Sequence, residues 1–286
     1  MDDRKENVYA FYQKRNSRVS EKLIEIIYII QEVLNNMTQN RIYGQKISIN
    51  TENTRNFYDT RAKSIKDMAN PYVSVLLGDQ NPEYALAWDA FEKENILPKM
   101  DIDETCHVLD IGCGMGRWAE ALIPKSGYYC GTDMSAEMIQ CAQERNQYPG
   151  KSYDFLNYGF EEFCSLTKEQ LPHSFNRLWI CGVMMYINDE TLIKGMEQLL
   201  NKMDDHGKIY FTETIALSQR LTLNQFYSEA LKADYDVIYR TEEEYNHVYE
   251  SWLNAGFRIV EQGMLPHLNK EKEYSETDRW YTIMER

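Results

Sequence analysis

A glycine-rich turn that directly follows a short apolar strand constrains the fold more than any other feature of the sequence. Residues 107–111 are mostly apolar and include Asp110, and residues 112–116 contain three glycines. Apolar residues then recur at helical spacing from Trp118 onward. Strand–turn–helix units of this kind build parallel sheets covered by helices on both faces. The sequence therefore predicts an α/β core that begins near residue 101.

The same unit recurs along the chain. A second strand is predicted at residues 128–133 and ends in Asp133, after which Ser135 is placed to cap a helix. Further strands are predicted at residues 153–156, 177–181, 208–214, 258–262 and 281–284, and helices at 191–203, 227–235 and 242–255. Together these segments predict a Rossmann-like, doubly wound, mostly parallel sheet of seven strands.

The region before this core has a different pattern. Residues 17–34 carry apolar side chains at intervals of three and four, which predicts an amphipathic helix. A polar stretch and an aromatic-rich, helix-like stretch at residues 85–91 follow. We therefore expect an N-terminal helical cap or lid over residues 1–100, and a core with substrate-binding insertions over residues 101–286.

Charge and residue usage narrow the function classes. The net charge of −14 and the pI of about 4.9 disfavour nucleic acid and acidic membrane surfaces as partners. The apolar run at residues 23–34 is too short to cross a bilayer, and no secretory signal pattern begins the sequence. The six cysteines form no C-x-x-C pair, and the five histidines are dispersed. We expect free thiols, no metal, a cytoplasmic location and a small-molecule partner, and a homodimer stays open.

The glycine turn favours a cofactor with an adenosine moiety, because glycines let backbone amides approach a ligand closely. The dinucleotide fingerprint needs a glycine at position 117, where the chain has Arg117. Asp110 would also repel a pyrophosphate, whereas it suits a ligand with an ammonium group and a sulfonium. Asp133 is positioned to accept hydrogen bonds from ribose hydroxyls in either case. A nicotinamide-dependent oxidoreductase is therefore the weaker alternative.

Two motifs resemble those of a known family. Residues 108–118 resemble the first motif of class I, Rossmann-like S-adenosylmethionine-dependent methyltransferases of the small-molecule type, and residues 131–135 resemble that family's second, acidic motif. The resemblance covers residues 105–265. It implies S-adenosylmethionine as cofactor, S-adenosylhomocysteine as product, and methyl transfer as the activity.

The resemblance also implies a set of site residues. The cofactor-binding residues are expected to be Tyr58, Arg61, Asp110, Gly112, Gly114, Trp118, Asp133, Met134, Phe160, Glu161 and Cys181. Asp110 would support the turn and the methionine end of the cofactor, and Asp133 would hold the ribose. Tyr58 and Arg61 lie in a segment that resembles the family's lid and could close over the cofactor carboxylate, although this segment could equally start a helix. For Trp118, core packing is an equal alternative.

Methyl transfer is an in-line displacement, so the enzyme mainly positions the nucleophile and excludes water. A general base is needed only when the nucleophile arrives protonated. The candidates are Tyr186, which stands where many relatives have a histidine, Glu213 and His267. An oxygen or nitrogen of a small metabolite is the expected acceptor atom, with sugar-linked or natural-product-like acceptors favoured by family analogy. A non-catalytic, methyltransferase-like binding subunit is a further alternative.

Overall fold

The computed structural model describes residues 26, 40–77, 79–268 and 276–286. The amphipathic helix predicted at residues 17–34 lies outside this part of the chain, except for Ile26, which is helical. The elements before the core are strand β1 (Arg41–Tyr43) and helices α1 (Thr51–Lys63), α2 (Val73–Leu76) and α3 (Pro82–Asn95). Helix α1 begins where the Asn50 side chain accepts a hydrogen bond from the Glu52 backbone, and α3 begins with a proline. The described part of the cap thus contains a strand as well as helices.

The core follows from residue 107. Its strands are β2 (His107–Ile111), β3 (Tyr128–Thr132), β4 (Tyr153–Leu156), β5 (Phe175–Cys181) and β6 (Met203–Ala216), then β7 (Leu221–Ser228), β8 (Ala233–Tyr239), β9 (Arg258–Met264) and β10 (Thr277–Glu285). Its helices are α4 (Ala119–Leu122), α5 (Ala136–Arg145), α6 (Phe160–Cys164), α7 (Asp189–Leu200), α8 (Glu242–Val248) and α9 (Glu250–Asn254).

Seven of these strands form the main sheet, in the order β4-β3-β2-β5-β6-β10-β9. Strands β2 to β6 pair in parallel, and β10 is antiparallel to both of its neighbours. The predicted Rossmann-like, mostly parallel sheet of seven strands is therefore confirmed. The strand order reverses between β2 and β5, and at such a point α/β sheets bind ligands beyond the carboxyl ends of their strands.

The helix predicted at residues 227–235 is wrong. Strands β7 and β8 occupy this region and form an antiparallel, three-stranded sheet with β1. Phe226, Tyr227 and Tyr235 belong to residue types that favour strands. Within this region Tyr227 pairs with Asp234 across a local hairpin, and residues 229–232 form its turn. Strand β1 pairs with β7 only at residues 221–223.

Large aromatic side chains fill both faces of the main sheet. On one face Trp179 packs against Trp118, with the ring centroids 5.9 Å apart. On the other face Tyr249 stacks on Trp280 at 6.2 Å. Burial of such rings is a main source of stability and fixes the sheet as a rigid base for the strand ends. Across the described residues, we find no helix with the length and apolar character that a bilayer crossing requires.

Candidate functional site

The glycine turn between β2 and α4 adopts a conformation that glycine favours. Gly112 has a φ of 70° and Gly114 a φ of 54°, both in the left-handed region. A Cβ atom on Gly112 would lie 2.3 Å from a methyl carbon of Val183, and one on Gly114 would lie 2.7 Å from a methyl carbon of Val75. The turn is therefore closely packed against the chain after β5 and against helix α2, and both positions require glycine.

Asp133, just after β3, holds the turn in place. Its Oδ2 atom accepts a 2.9 Å hydrogen bond from the Gly114 amide, and its Oδ1 atom accepts one of 2.9 Å from the Ser135 amide. Burial raises the pKa of this carboxyl to about 6. One carboxylate thus connects the two sequence motifs.

Asp110 lies behind the turn. Only 1% of the residue is exposed, and its Oδ2 atom accepts a 2.7 Å hydrogen bond from the Tyr129 hydroxyl. Burial raises the pKa of Asp110 to about 7. Its carboxylate is held beneath the turn by this bond, and its predicted support of the methionine end of the cofactor stays a prediction.

A cavity of about 400 Å³, here called the glycine-turn cavity, lies over the carboxyl ends of the parallel strands. Gly112, Gly114 and Asp133 line it, together with Met134 and Phe160. The cap closes it from the other side through one face of helix α1. The contributing residues of that face are Thr51, Glu52, Arg55 and Tyr58.

A second cavity of about 630 Å³, here called the cap cavity, lies between the cap, the small sheet and β10. Its wall is both aromatic and charged, with Tyr84, Trp88, Tyr235, Glu213 and Arg279 among its residues. Both volumes fall in the range typical of small-molecule sites.

The two cavities adjoin each other. The residues that line both are Tyr58, Val75, Cys181, Gly182 and Tyr186. The Tyr58 hydroxyl donates a 2.9 Å hydrogen bond to the Tyr186 hydroxyl, which lies 2.5 Å from the hydroxyl of Tyr235. Burial raises the pKa of Tyr58 to about 12 and that of Tyr186 well above its ordinary value. These phenols therefore stay protonated at the boundary.

Glu213 near the end of β6 fixes the short turn that carries Tyr186. Its carboxylate accepts hydrogen bonds from the amides of Val183 at 2.9 Å, Met184 at 2.8 Å and Met185 at 3.3 Å. Arg240 binds the same turn from the opposite direction, donating to the Met184 carbonyl at 2.7 Å. Burial raises the pKa of Glu213 to about 7, although the three amide hydrogen bonds lower it. A buried carboxyl that titrates near neutrality thus faces the cap cavity.

Most of the predicted cofactor-binding residues come together in the structure. Those that line the glycine-turn cavity are Tyr58, Gly112, Gly114, Asp133, Met134, Phe160, Glu161 and Cys181. Among the predicted bases, Glu213 and His267 line the cap cavity, and Tyr186 lines both. His267 has 47% of its side chain exposed, and its Nε2 atom lies 2.9 Å from Asp278 Oδ2.

Two of the predicted cofactor-binding residues are held by other parts of the protein. The Arg61 guanidinium forms a bidentate pair with Asp79 at 2.9 Å and donates to the Ser74 carbonyl at 2.9 Å. Trp118 is 3% exposed and packs between Trp179 and Tyr210. Arg61 therefore ties the cap together, and Trp118 belongs to the core.

Sequence reasoning missed several wall residues. Four wall residues lie on helix α1, where Glu52, Arg55 and Tyr58 follow Thr51 by one, four and seven residues. This spacing places them on one face of a helix and could have grouped them around Tyr58. Val75 gave no such signal, because helix α2 has only four residues. Within the described residues there is also no group of three or more His, Cys, Asp or Glu side chains that could hold a metal ion.

Comparison with known proteins agrees with this geometry. Residues 108–207 match the model of a methyltransferase domain. Phosphoethanolamine N-methyltransferase 1 of Caenorhabditis elegans is 25% identical over 126 residues, which is 44% of this chain. The chain spans about a quarter of that relative's length.

Solved structures show the same fold. One neighbour is an S-adenosylmethionine-dependent methyltransferase of Leishmania major, with a TM-score of 0.56, 14% identity, and coverage of 83% of this chain and 87% of the other. Another is phosphoethanolamine N-methyltransferase 1 of Haemonchus contortus in complex with phosphoethanolamine and S-adenosylhomocysteine, with a TM-score of 0.60 and 18% identity. That similarity covers 82% of this chain and 50% of the other. The matched methyltransferase domain contains both motifs that resemble the predicted family, and the solved structures share the fold.

Proposed function

We propose that this chain, which belongs to the class I S-adenosylmethionine-dependent methyltransferase family, transfers a methyl group to an oxygen or nitrogen atom of a small metabolite. The supporting observation is the pair of adjoining cavities, one over the glycine turn and one under the cap, with a shared boundary at Cys181, Gly182 and Tyr186. A two-substrate transfer needs this arrangement, because the two substrates must meet with water excluded.

The residues of the glycine-turn cavity fit S-adenosylmethionine. Gly114 lies in the cavity wall and has no side chain, so its backbone can lie against the ligand. The Asp133 carboxylate lines the cavity and retains acceptor capacity for the ribose hydroxyls. Met134 and Phe160 supply apolar surface for an adenine ring. When bound, the cofactor supplies a methyl carbon activated by its positively charged sulfur.

Glu213 is the best candidate for the general base. It is 2% exposed and lines the cap cavity, and its three amide contacts fix the direction of its carboxylate. Glu213 would accept the proton of the nucleophile when the methyl group is transferred to that nucleophile from the bound cofactor. Tyr186 stays protonated and instead donates or accepts hydrogen bonds at the boundary.

The acceptor is proposed to be small and polar, with a sugar-linked or natural-product-like molecule favoured. The cap cavity has a volume of about 630 Å³ and presents tyrosine and tryptophan rings beside polar side chains, which suits hydroxylated rings. The relatives named above as phosphoethanolamine methyltransferases act on a small amine, which supports a metabolite rather than a polymer.

The nicotinamide-dependent alternative receives no support from these contacts. Arg117, which replaces the third fingerprint glycine, extends away from the turn to Asp89 and Glu92 at 3.1 and 2.9 Å. Its side chain is therefore committed to an ion cluster.

Calorimetry with S-adenosylmethionine, S-adenosylhomocysteine and NAD tests the cofactor. We expect binding of the first two and none of NAD, and selective NAD binding would refute the proposal. A panel of hydroxylated and amine metabolites, followed by release of S-adenosylhomocysteine and mass spectrometry of the product, then tests transfer. Cofactor binding without methylation of any panel member would favour the non-catalytic subunit.

The role of Glu213 has its own test. Because the deprotonated carboxylate is the active form, kcat should rise with pH through about 7. Glu213→Gln should lower kcat by about 10²- to 10⁴-fold and keep S-adenosylhomocysteine affinity. A pH profile of the unmodified enzyme that stays flat from pH 5.5 to 8.5 would contradict this role without use of any variant.

A further inference from the structure

Most charged side chains that line the cap cavity have an ion-pair or hydrogen-bond partner in the protein. Arg41 pairs with Glu276 at 2.5 Å, Asp79 with Arg61, Glu92 with Arg117, and Asp278 with His267. Glu213 is held by three backbone amides. Arg279 differs from these, since no carboxylate lies within ion-pair distance of it among residues 40–77, 79–268 and 276–286.

The Arg279 guanidinium is nevertheless held in one place. Its Cζ atom lies 4.4 Å from the centroid of the Trp88 ring and 5.9 Å from that of Tyr84. Its Nη2 atom donates a long hydrogen bond of 3.4 Å to the Leu76 carbonyl. A guanidinium carries five N–H donors, and the other donors of this half-buried side chain have no hydrogen-bond partner within the described part of the chain. Stacking on aromatic rings orients the planar group for bidentate recognition.

We propose that Arg279 binds an oxyanionic group, either phosphoryl or carboxylate, of the methyl acceptor. The inference rests on the proposed function, because the cap cavity must be the acceptor site. Arg279 has no anionic partner among the residues that the structure describes, and it lies in the wall of a cavity in a chain of net charge −14, so it provides a local positive potential for an anion. Planar guanidinium groups match the oxygens of carboxylates and phosphates with two parallel hydrogen bonds.

The position of Arg279 also indicates where the bound anion would lie relative to the proposed base, Glu213. Arg279 on β10 is opposite Thr214 on β6, and Thr214 follows Glu213 directly. Neighbouring strands are about 4.8 Å apart, so the two backbone positions are one strand and one residue apart. Glu213 is opposite Trp280, so the Arg279 and Glu213 side chains leave different faces of the sheet, and both line the cap cavity at the strand ends. The acceptor is thus held by its anionic end at β10 while its nucleophilic atom faces Glu213 and the boundary tyrosines.

The test uses the whole chain saturated with S-adenosylhomocysteine. Sodium phosphate, sodium acetate, glucose 6-phosphate, glucuronate and glucose are each titrated at constant ionic strength, with thermal unfolding and tryptophan fluorescence as readouts, since Trp88 contacts the guanidinium. We expect saturable binding of at least one anion and weaker or no binding of glucose. Arg279→Gln should weaken anion binding by at least about tenfold.

Arg258→Gln is the matched control, because Arg258 lies on the neighbouring strand β9 with 76% of its side chain exposed. It should bind the anions as the unmodified chain does. Comparison of phosphate and glucose 6-phosphate with acetate and glucuronate distinguishes a phosphoryl from a carboxylate group. Equal anion binding by Arg279→Gln, equal losses in both variants, or no anion binding by the unmodified chain would overturn the inference. Failure to bind S-adenosylhomocysteine would instead refute the proposed function.

Discussion

The Tyr58 hydroxyl donates a 2.9 Å hydrogen bond to the Tyr186 hydroxyl, and the two rings meet edge to face with centroids 5.6 Å apart. Tyr58 lies on helix α1 of the cap, and Tyr186 lies on the turn after β5. Since both side chains line both cavities, this contact joins the cap to the core at the boundary where the substrates would meet. The same hydrogen bond therefore links the cap to the wall of the proposed transfer site.

Tyr58→Phe and Tyr186→Phe should each weaken S-adenosylhomocysteine binding, by about 1 kcal/mol for Tyr58→Phe. Tyr186→Phe should have the larger effect, because the hydroxyls of both Tyr58 and Tyr235 lose their partner. The double variant should lose less binding free energy than the sum of the two single variants, since both single changes remove the same Tyr58–Tyr186 hydrogen bond. Calorimetry measures these values, with Tyr227→Phe, at an exposed residue, as control. Strict additivity would show that the bond does not couple cap and core.

Gly114→Ala should abolish or strongly weaken cofactor binding. The new Cβ atom would lie 2.7 Å from Val75, which must move and take helix α2 with it. Gly150→Ala is a matched control, because Gly150 also has a positive φ of 84° but nothing lies within 4 Å of the added atom. Both variants share the backbone strain of about 1–2 kcal/mol. Only Gly114→Ala should lose binding, and the additional change Val75→Ala should restore part of it.

Asp133→Ala should weaken S-adenosylhomocysteine binding by more than tenfold, because it removes the proposed ribose contact and frees the Gly114 and Ser135 amides. It should also lower the free energy of unfolding by about 1–3 kcal/mol, since two amide hydrogen bonds are lost. Calorimetry and urea unfolding separate the two effects. Unchanged affinity would remove Asp133 from the cofactor site.

The free energy of unfolding of the ligand-free chain should fall as pH rises from about 4.5 to 7. Burial raises the pKa of Asp110 to about 7, of Asp133 to about 6 and of Glu213 to about 7. The native state therefore binds more protons than the unfolded state in this window, where unfolded carboxyls with pKa near 4 are ionised. Carboxyls whose pKa is lowered, such as that of Asp189, titrate below this pH window.

Urea unfolding at several pH values checks this slope. Asp110→Asn removes one of the three groups and keeps an acceptor for the Tyr129 hydroxyl. This variant should show a shallower decrease of the free energy of unfolding with pH. A slope equal to that of the unmodified chain would contradict the raised pKa assigned to Asp110.

The sequence could predict the site wherever its determinants are local. The turn at Gly112 and Gly114, and Asp133 at the next strand end, are defined by spacing within two strand–helix units, and the structure places all three at one cavity. The role of Arg61 could not be predicted in this way. Its partner Asp79 lies beyond a loop and a short helix, so only the folded cap shows that the guanidinium is already bound.

Pairing between strands that are distant in the sequence was the other feature that the sequence could not predict. Residues 227–235 include Glu229, Ala230 and Leu231, which favour a helix but lie in the turn of the β7–β8 hairpin. Strand β7 also pairs with β1, whose residues 41–43 are far away in the sequence. The position of Arg279 depends likewise on the pairing of β10 with β6. Neither relationship has a signature within a short window of sequence.

The pairing of β1 with β7 has a practical consequence. A fragment that starts at residue 101 would keep all seven strands of the main sheet, but it would leave one side of β7 with unpaired backbone amides and carbonyls from Leu221 to Leu223. Such an open edge invites association with other chains. Truncation at the boundary between cap and core should therefore yield an aggregation-prone protein. Its aggregation would result from the missing strand β1 and not from an unfolded core.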